Sequence, residues 1–332
     1  MKCLAIADLF IPPAMMASGL EALAQRGIEI MIRDWTHESV EKLQQDNLRI
    51  ELDGAEAVAL PAELLQDAED VDILITQFAP VNSAVLARLP KVKYIGVLRG
   101  GTENVNQRAA KARGIEVINT PGRNARSVAE FTVGLILAEM RNIARAHDAL
   151  RDGHWRSESP NHGAIAELGG RVVGLVGMGH IARLVAGFLS GFGCDIIFHD
   201  KYVTADECYQ KVESLDELVQ RADVISLHAR LTPETEKLIN SHHFALMKPG
   251  AILVNTARSG LIDEAALIHT LQSGKIMGAA LDTFDDEPLA NNSPFCTLNN
   301  VTITPHLAGS TADAFSRSPA LFANILLRRL EQ

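Results

Sequence analysis

Apolar and polar positions alternate in blocks along this 332-residue chain. Short, nearly continuous apolar runs recur, and between them lie longer stretches with helical spacing. The runs at 2–7 (KCLAIA), 28–33 (IEIMIR), 71–76 (VDILIT), 94–98 (YIGVL) and 116–119 (EVIN) predict strands. Helices are expected at 13–26, 40–45, 61–68, 82–88 and 105–113. Strands without a polar face belong in a parallel sheet covered on both sides, so an α/β fold is expected.

The alternation resumes at Arg171. Strands are predicted at 172–176, 195–198, 224–227, 251–255, 278–282 and 301–304, with helices between them. Six strands with intervening helices make up a doubly wound sheet. Ahead of them, Ser127-Val128-Ala129-Glu130 reads as a capping box opening a helix over 127–140. That helix is apolar nearly all round, so it should bridge two domains or enter a subunit interface. The polar, glycine-containing stretch 157–170 reads as a loop, and 312–330 as a helix interrupted by Pro319 that packs back on the N-terminal half.

Bulk properties narrow the function. The length predicts two domains. A net charge of −10 without a basic run argues against nucleic acid or an anionic membrane as partner. The N-terminal apolar run is broken by Asp8 and Pro12-Pro13, and no stretch is long enough to span a bilayer. Cys3, Cys194, Cys208 and Cys296 are scattered, without metal spacing, which fits free thiols in a reducing cytoplasm. No metal site is expected.

The stretch 171–200 carries the first chemistry. A predicted strand meets Gly177-Met178-Gly179-His180-Ile181-Ala182, a helix-period run follows, and a second strand ends on Asp200. Gly177 permits the tight turn, and Gly179 lets the backbone approach a pyrophosphate. The helix start around His180 and Ile181 offers unpaired N–H groups to that anion. Asp200, 23 residues after Gly177, can accept from a ribose 2′-OH. This is the fingerprint of a dinucleotide site, with NAD the expected cofactor.

Three polar residues follow predicted strands: Arg258 after 251–255, Glu287 after 278–282 and His306 after 301–304. A guanidinium can fork onto a carboxylate. An imidazole can exchange a proton with a carbinol or carbonyl oxygen. A neighbouring carboxylate fixes the imidazole tautomer and raises its pKa. Each alone has a plainer reading as a surface or turn residue, and the coincidence at three strand ends carries the argument. His180, His199 and His228 lie near the glycine turn; packing or solvent exposure is their plainer reading.

The chain resembles the D-isomer-specific 2-hydroxyacid dehydrogenases from about Tyr94 to Ser310. The motifs are NTPGRNARSVAEFTVGLILAEMR (119–141), ELGGRVVGLVGMGHIA (167–182), HARLTPETEKLIN (228–240), LMKPGAILVNTARSGLIDEAAL (246–267), LDTFDDEP (281–288) and TPHLAGST (304–311). The resemblance implies a Rossmann NAD-binding domain, 120–305, inserted into a flavodoxin-like substrate domain, 1–119 and 306–332. It makes Arg258 the substrate-binding arginine, His306 the acid/base and Glu287 its partner. The backbone of Leu98, Arg99, Gly100 and Gly101 would bind the substrate carboxylate. Thr256, Ala257 and Asp282 would hold the nicotinamide carboxamide, and His228 would join the cofactor contacts. A homodimer and a small 2-hydroxyacid or 2-ketoacid substrate are implied.

Departures from the family pattern refine this. Arg99 replaces a glycine of the substrate loop, adding either a cation near the substrate or a buttressing salt bridge. Asp200 favours NAD by repelling a 2′-phosphate, while Lys201 and Arg230 keep NADP as the alternative. Thr76-Gln77-Phe78-Ala79 lacks the arginine of phosphate-reading relatives, which disfavours 3-phosphoglycerate. Glu287 argues against formate oxidation, whose enzymes carry Gln there. The alternative function is a NAD(H)-sensing interaction protein like the family's transcriptional corepressors.

Overall fold

The computed structural model describes residues 1–155, 159 and 165–331. Half of the expected loop at 157–170 lies outside the described residues. The chain divides into two compact units, Met1–Asn124 with Ser310–Gln332, and Ala125–Gly309.

The first unit holds five strands: β1 (Lys2–Ala7), β2 (Glu29–Asp34), β3 (Ile73–Thr76), β4 (Tyr94–Val97) and β5 (Glu116–Asn119). They run parallel in the order β2-β1-β3-β4-β5, the flavodoxin-like arrangement. Alternate side chains of β1 fill two different cores. Leu4 and Ile6 enter one, while Cys3, Ala5 and Ala7 enter the other. The second core is completed by Phe315, Phe322, Ala323 and Leu326 from the C-terminal helix.

That helix, Ala312–Leu330, runs unbroken through Pro319, contrary to the expected interruption. Proline removes only one helical hydrogen bond, and here its ring is buried against Gly19. The expected helix 13–26 is two pieces, Pro13–Gly19 and Glu21–Gln25, while 61–68 holds only a 3-10 turn, Ala62–Leu65. The helix expected at 40–45 continues to Asp53. Only Leu43, Asp46 and Ile50 are buried along it, so its polar outer face hid its length.

The second unit contains β6 (Val172–Val176), β7 (Asp195–His199), β8 (Gln210–Lys211), β9 (Val224–Leu227), β10 (Ile252–Asn255), β11 (Gly278–Leu281) and β12 (Val301–Ile303). Their order is β12-β11-β10-β9-β6-β7-β8, all parallel. This is the Rossmann order with one added strand. The expectation of six strands missed β8, a two-residue edge strand of Gln and Lys with no apolar signal.

The long helix begins at Ala125, so Ser127 lies inside it and the expected capping box is not formed. The turn before it, with Gly122 at φ +78°, brings the chain into helical geometry two residues early. Glu130 instead pairs with Arg126 at 2.8 Å. Glu139 is buried on this helix, where both its oxygens lie 2.7 Å from Arg145 Nη2 and Oε2 also accepts from Thr302 of β12 at 2.7 Å. The helix is thereby locked to the sheet edge that leads into His306. Among the described residues no helix is long and apolar enough to cross a membrane.

Candidate active site

The glycine turn sits between β6 and the helix His180–Ser190. Gly177 has φ +93°, and a Cβ there would lie 3.0 Å from the backbone of His228 and Ala229. Only glycine fits both demands. A Cβ on Gly179 would meet nothing within 4 Å, so space is open beside the turn for a ligand backbone. Gly179 is also the residue before the helix, whose first N–H groups are unpaired by construction. These features fit a dinucleotide pyrophosphate.

Asp200 does more than the sequence suggested. Its Oδ2 accepts from Met178 N–H at 2.7 Å, inside the glycine turn. Its Oδ1 accepts from Tyr202 and Val203 N–H at 2.7 and 2.9 Å. Burial acts to raise its pKa, but these three donors and Lys211 hold the carboxyl below the usual range. His180 is exposed and Ile181 half-buried at the helix start. His228 meets Ser226 Oγ at 3.0 Å, and burial pushes its imidazole down to about 4, so it is neutral at physiological pH. Lys201 and Arg230 are both exposed.

Arg258, Glu287 and His306 follow β10, β11 and β12, which are consecutive in the sheet. Glu287 Oε2 lies 2.8 Å from His306 Nδ1, while its Oε1 accepts from Phe284 N–H at 3.0 Å. Glu287 raises the His306 pKa through this bond, against the opposing effects of burial and of Arg258. Burial works to raise the Glu287 carboxyl, but His306 and the Phe284 N–H hold it below its ordinary range. Nδ1 is therefore the protonated nitrogen facing Glu287, and Nε2 is directed elsewhere. Arg258 is exposed, and its Nη1 donates to the Ala257 carbonyl at 2.7 Å.

His306 itself has φ +53°, a left-handed conformation unusual for histidine. Asp282, fully buried, holds the loop that imposes it. Its carboxylate accepts from Thr304 Oγ1 at 2.6 Å and from Leu307 and Ala308 N–H at 2.8 Å each. Both Asp282 oxygens thus accept from residues flanking His306. Thr256 Oγ1 lies 2.8 Å from Thr132 Oγ1, and Ala257 N–H donates to Asn255 Oδ1 at 3.0 Å. The Thr256–Ala257 segment is held rigidly at the end of β10.

The loop expected to bind substrate follows β4 in the first unit. Leu98 is buried and donates its N–H to Thr76 O at 2.8 Å. Gly100 is open on its Cβ side, and a Cβ on Gly101 would strike the Glu103 carboxylate. Arg99 matches the buttressing alternative. It pairs with Glu51, donates to Asn47 Oδ1 at 2.7 Å and reaches Glu103 at 3.3 Å.

Comparison with known proteins places this arrangement. Residues 133–308 match the profile of the "D-isomer specific 2-hydroxyacid dehydrogenase, NAD binding domain". The chain belongs to the D-isomer-specific 2-hydroxyacid dehydrogenase family. It is 39% identical over 258 residues to a hydroxypyruvate reductase of Thermotoga maritima, covering 77% of this chain and 83% of that protein. It is also 39% identical over 293 residues to a D-3-phosphoglycerate dehydrogenase of Methanocaldococcus jannaschii, covering 86% of this chain but 54% of the relative. The chain thus spans about half the length of that relative. A NAD-complexed D-isomer specific 2-hydroxyacid dehydrogenase from Lactobacillus delbrueckii superposes with TM-score 0.79 at 26% identity, covering 100% of this chain and 97% of the other. In this family the second unit is the NAD-binding domain.

One structural feature of the site escaped the sequence. The Asp282 clamp on the His306 loop has a partial signal in Thr304-Pro305-His306, where a hydroxyl residue precedes the histidine by two.

Proposed function

We propose that the protein is a NAD(H)-dependent D-2-hydroxyacid dehydrogenase that reduces small 2-ketoacids. The observation that carries this reading is the His306–Glu287 pair at 2.8 Å beside Arg258, on three consecutive strand ends of a NAD-binding domain. NADH, when bound, supplies the hydride. Gly177, Gly179, His180 and Ile181 would cradle its pyrophosphate, and Asp200 would face the ribose. Thr256, Ala257, Asp282 and His228 would frame the rest of the cofactor.

Arg258 would leave the Ala257 carbonyl to fork onto the substrate carboxylate and polarise the adjacent carbonyl. By the family resemblance, the backbone of Leu98 to Gly101 would also take part in binding substrate. His306, kept protonated by Glu287, would deliver its Nε2 proton to the carbonyl oxygen as it becomes an alkoxide. In oxidation the same nitrogen takes that proton back. NADH is favoured over NADPH because Asp200 opposes a 2′-phosphate. A panel of 2-ketoacids, followed by nicotinamide absorbance with each cofactor, tests the reading. No oxidation of either cofactor with any ketoacid would leave the sensor alternative, which no feature of the site favours.

A cytoplasmic homodimer is part of the same proposal. The helix Ile143–Arg151 has no buried residue, and Ile143, Leu150 and Trp155 are 56%, 57% and 90% exposed. Such a run beside the NAD-binding domain suits a second copy. Sedimentation velocity should give a dimer, and a Leu150→Glu variant should shift it toward monomer; a wild-type monomer would refute this.

A further inference from the structure

The side chain of Arg99 and its backbone serve different partners within the first unit. Arg99 lies in the loop after β4, yet its guanidinium crosses to the helix Val40–Asp53. There it donates to Asn47 Oδ1 at 2.7 Å and pairs with Glu51. Asn47 and Glu51 stand one turn apart on the same helix face, so their side chains meet at one point. Asn47 Nδ2 donates to Glu51 Oε1 at 3.2 Å, which closes the triangle. The guanidinium also reaches Glu103 at 3.3 Å and lies over the Phe78 ring at 5.4 Å. Held on these sides, the Arg99 side chain is only 12% exposed. The helix is a firm anchor, because Leu43 and Ile50 are buried in the core of the same unit.

The backbone of the loop turns to β5. The Arg99 carbonyl accepts from Thr120 N–H at 3.1 Å, and the Gly100 carbonyl accepts from Asn119 Nδ2. The N–H groups of Arg99, Gly100 and Gly101 donate to no acceptor among the described residues. Successive N–H groups left open in a turn suit an anion. Two glycines in a row give this stretch little stiffness of its own. Its shape depends on Arg99.

We propose that Arg99 is a positioning residue: by tying the loop to the helix Val40–Asp53, it presets the N–H groups of residues 99–101 for an anionic group of the substrate. This rests on the proposed ketoacid reduction. Preset donors lose less freedom on binding than donors on a loose glycine loop. A guanidinium suits the task, because its rigid fork can bond Asn47, Glu51 and Glu103 together. Its charge is answered within the unit by Glu51 and Glu103, so its contribution is geometry.

Two variants that change the local charge in opposite directions separate positioning from charge. Arg99→Met removes a positive charge and Glu51→Ala a negative one, and both weaken the tie to the helix. In the intact protein without substrate, hydrogen exchange over residues 98–106 should quicken in both. With NADH, KM for hydroxypyruvate and for glyoxylate should rise about 10-fold in both, with the effect in KM rather than kcat. Arg99→Lys should recover part of the loss. KM shifts of opposite direction in the two variants would show that charge alone is at work and overturn the proposal. Exchange equal to wild type would overturn it too, as would quickened exchange with KM unchanged. Quickened exchange without reduction of either ketoacid would show the loop tied as proposed and count against the reduction instead.

Discussion

Glu287 Oε2 lies 2.8 Å from His306 Nδ1, and the two residues come from loops after adjacent strands, β11 and β12. The bond gives His306 a fixed tautomer and a raised pKa. Ketoacid reduction needs the imidazolium, so kcat/KM should fall as pH rises through the His306 pKa. Glu287→Gln keeps an acceptor but removes the charge, and should move that alkaline limb to lower pH. The stabilising contribution of the pair follows the same sign. Because the folded pKa of His306 is raised, the contribution is complete below the unfolded value of about 6.5 and is lost as pH rises through the folded one. A pH–rate profile identical in the two proteins would show that Glu287 does not tune His306.

Asp200 joins the strand end to the glycine turn through Met178 N–H, and to Tyr202 and Val203. Asp200→Ala leaves three backbone donors without this acceptor and should cost about 1–3 kcal/mol in urea unfolding. It should also weaken NADH binding and narrow the preference over NADPH. With the folded pKa lowered, the carboxylate stabilises the fold above its unfolded pKa of about 3.9, and this is lost as pH falls through the folded value. An unchanged unfolding midpoint with intact cofactor preference would contradict both roles.

The legible parts of the molecule were those written in local pattern. Apolar runs marked eleven of the twelve strands among the described residues, and the exception, β8, is two polar residues held at an edge by β7. The dinucleotide turn was legible because φ +93° at Gly177 demands a residue without a Cβ. Partnerships between distant residues were not. Nothing in the spacing showed that Arg99 would turn to Glu51, 48 residues away, or that Asp282 would grip backbone 25 and 26 residues ahead. The false capping box has the same origin, since Ser127 satisfies the motif but the preceding turn decides where the helix starts. Helix 312–330 survives Pro319 because packing against the first unit outweighs one lost hydrogen bond.

Gly278 in β11 faces the buried Glu139 carboxylate, and a Cβ would also lie 2.8 Å from Asn300 O. Gly278→Ala must displace Glu139 from Arg145 and Thr302 or shift the strand. Overpacking of this kind costs about 1–3 kcal/mol, and a partly unpaired buried charge adds to it. Thermal unfolding should show a clear drop in Tm. A variant as stable as wild type would mean that the helix can yield without cost.

The central claim is that His306 transfers the proton while the NAD-binding domain holds the cofactor independently. Its most direct test is His306→Ala, with ketoacid-dependent NADH oxidation and NADH fluorescence titration measured on the same preparation. Loss of a positioned general acid predicts a fall in turnover of about 10²- to 10⁴-fold. NADH affinity should stay near wild type, because the glycine turn and Asp200 do not depend on the imidazole. Turnover equal to wild type in His306→Ala would contradict the assignment.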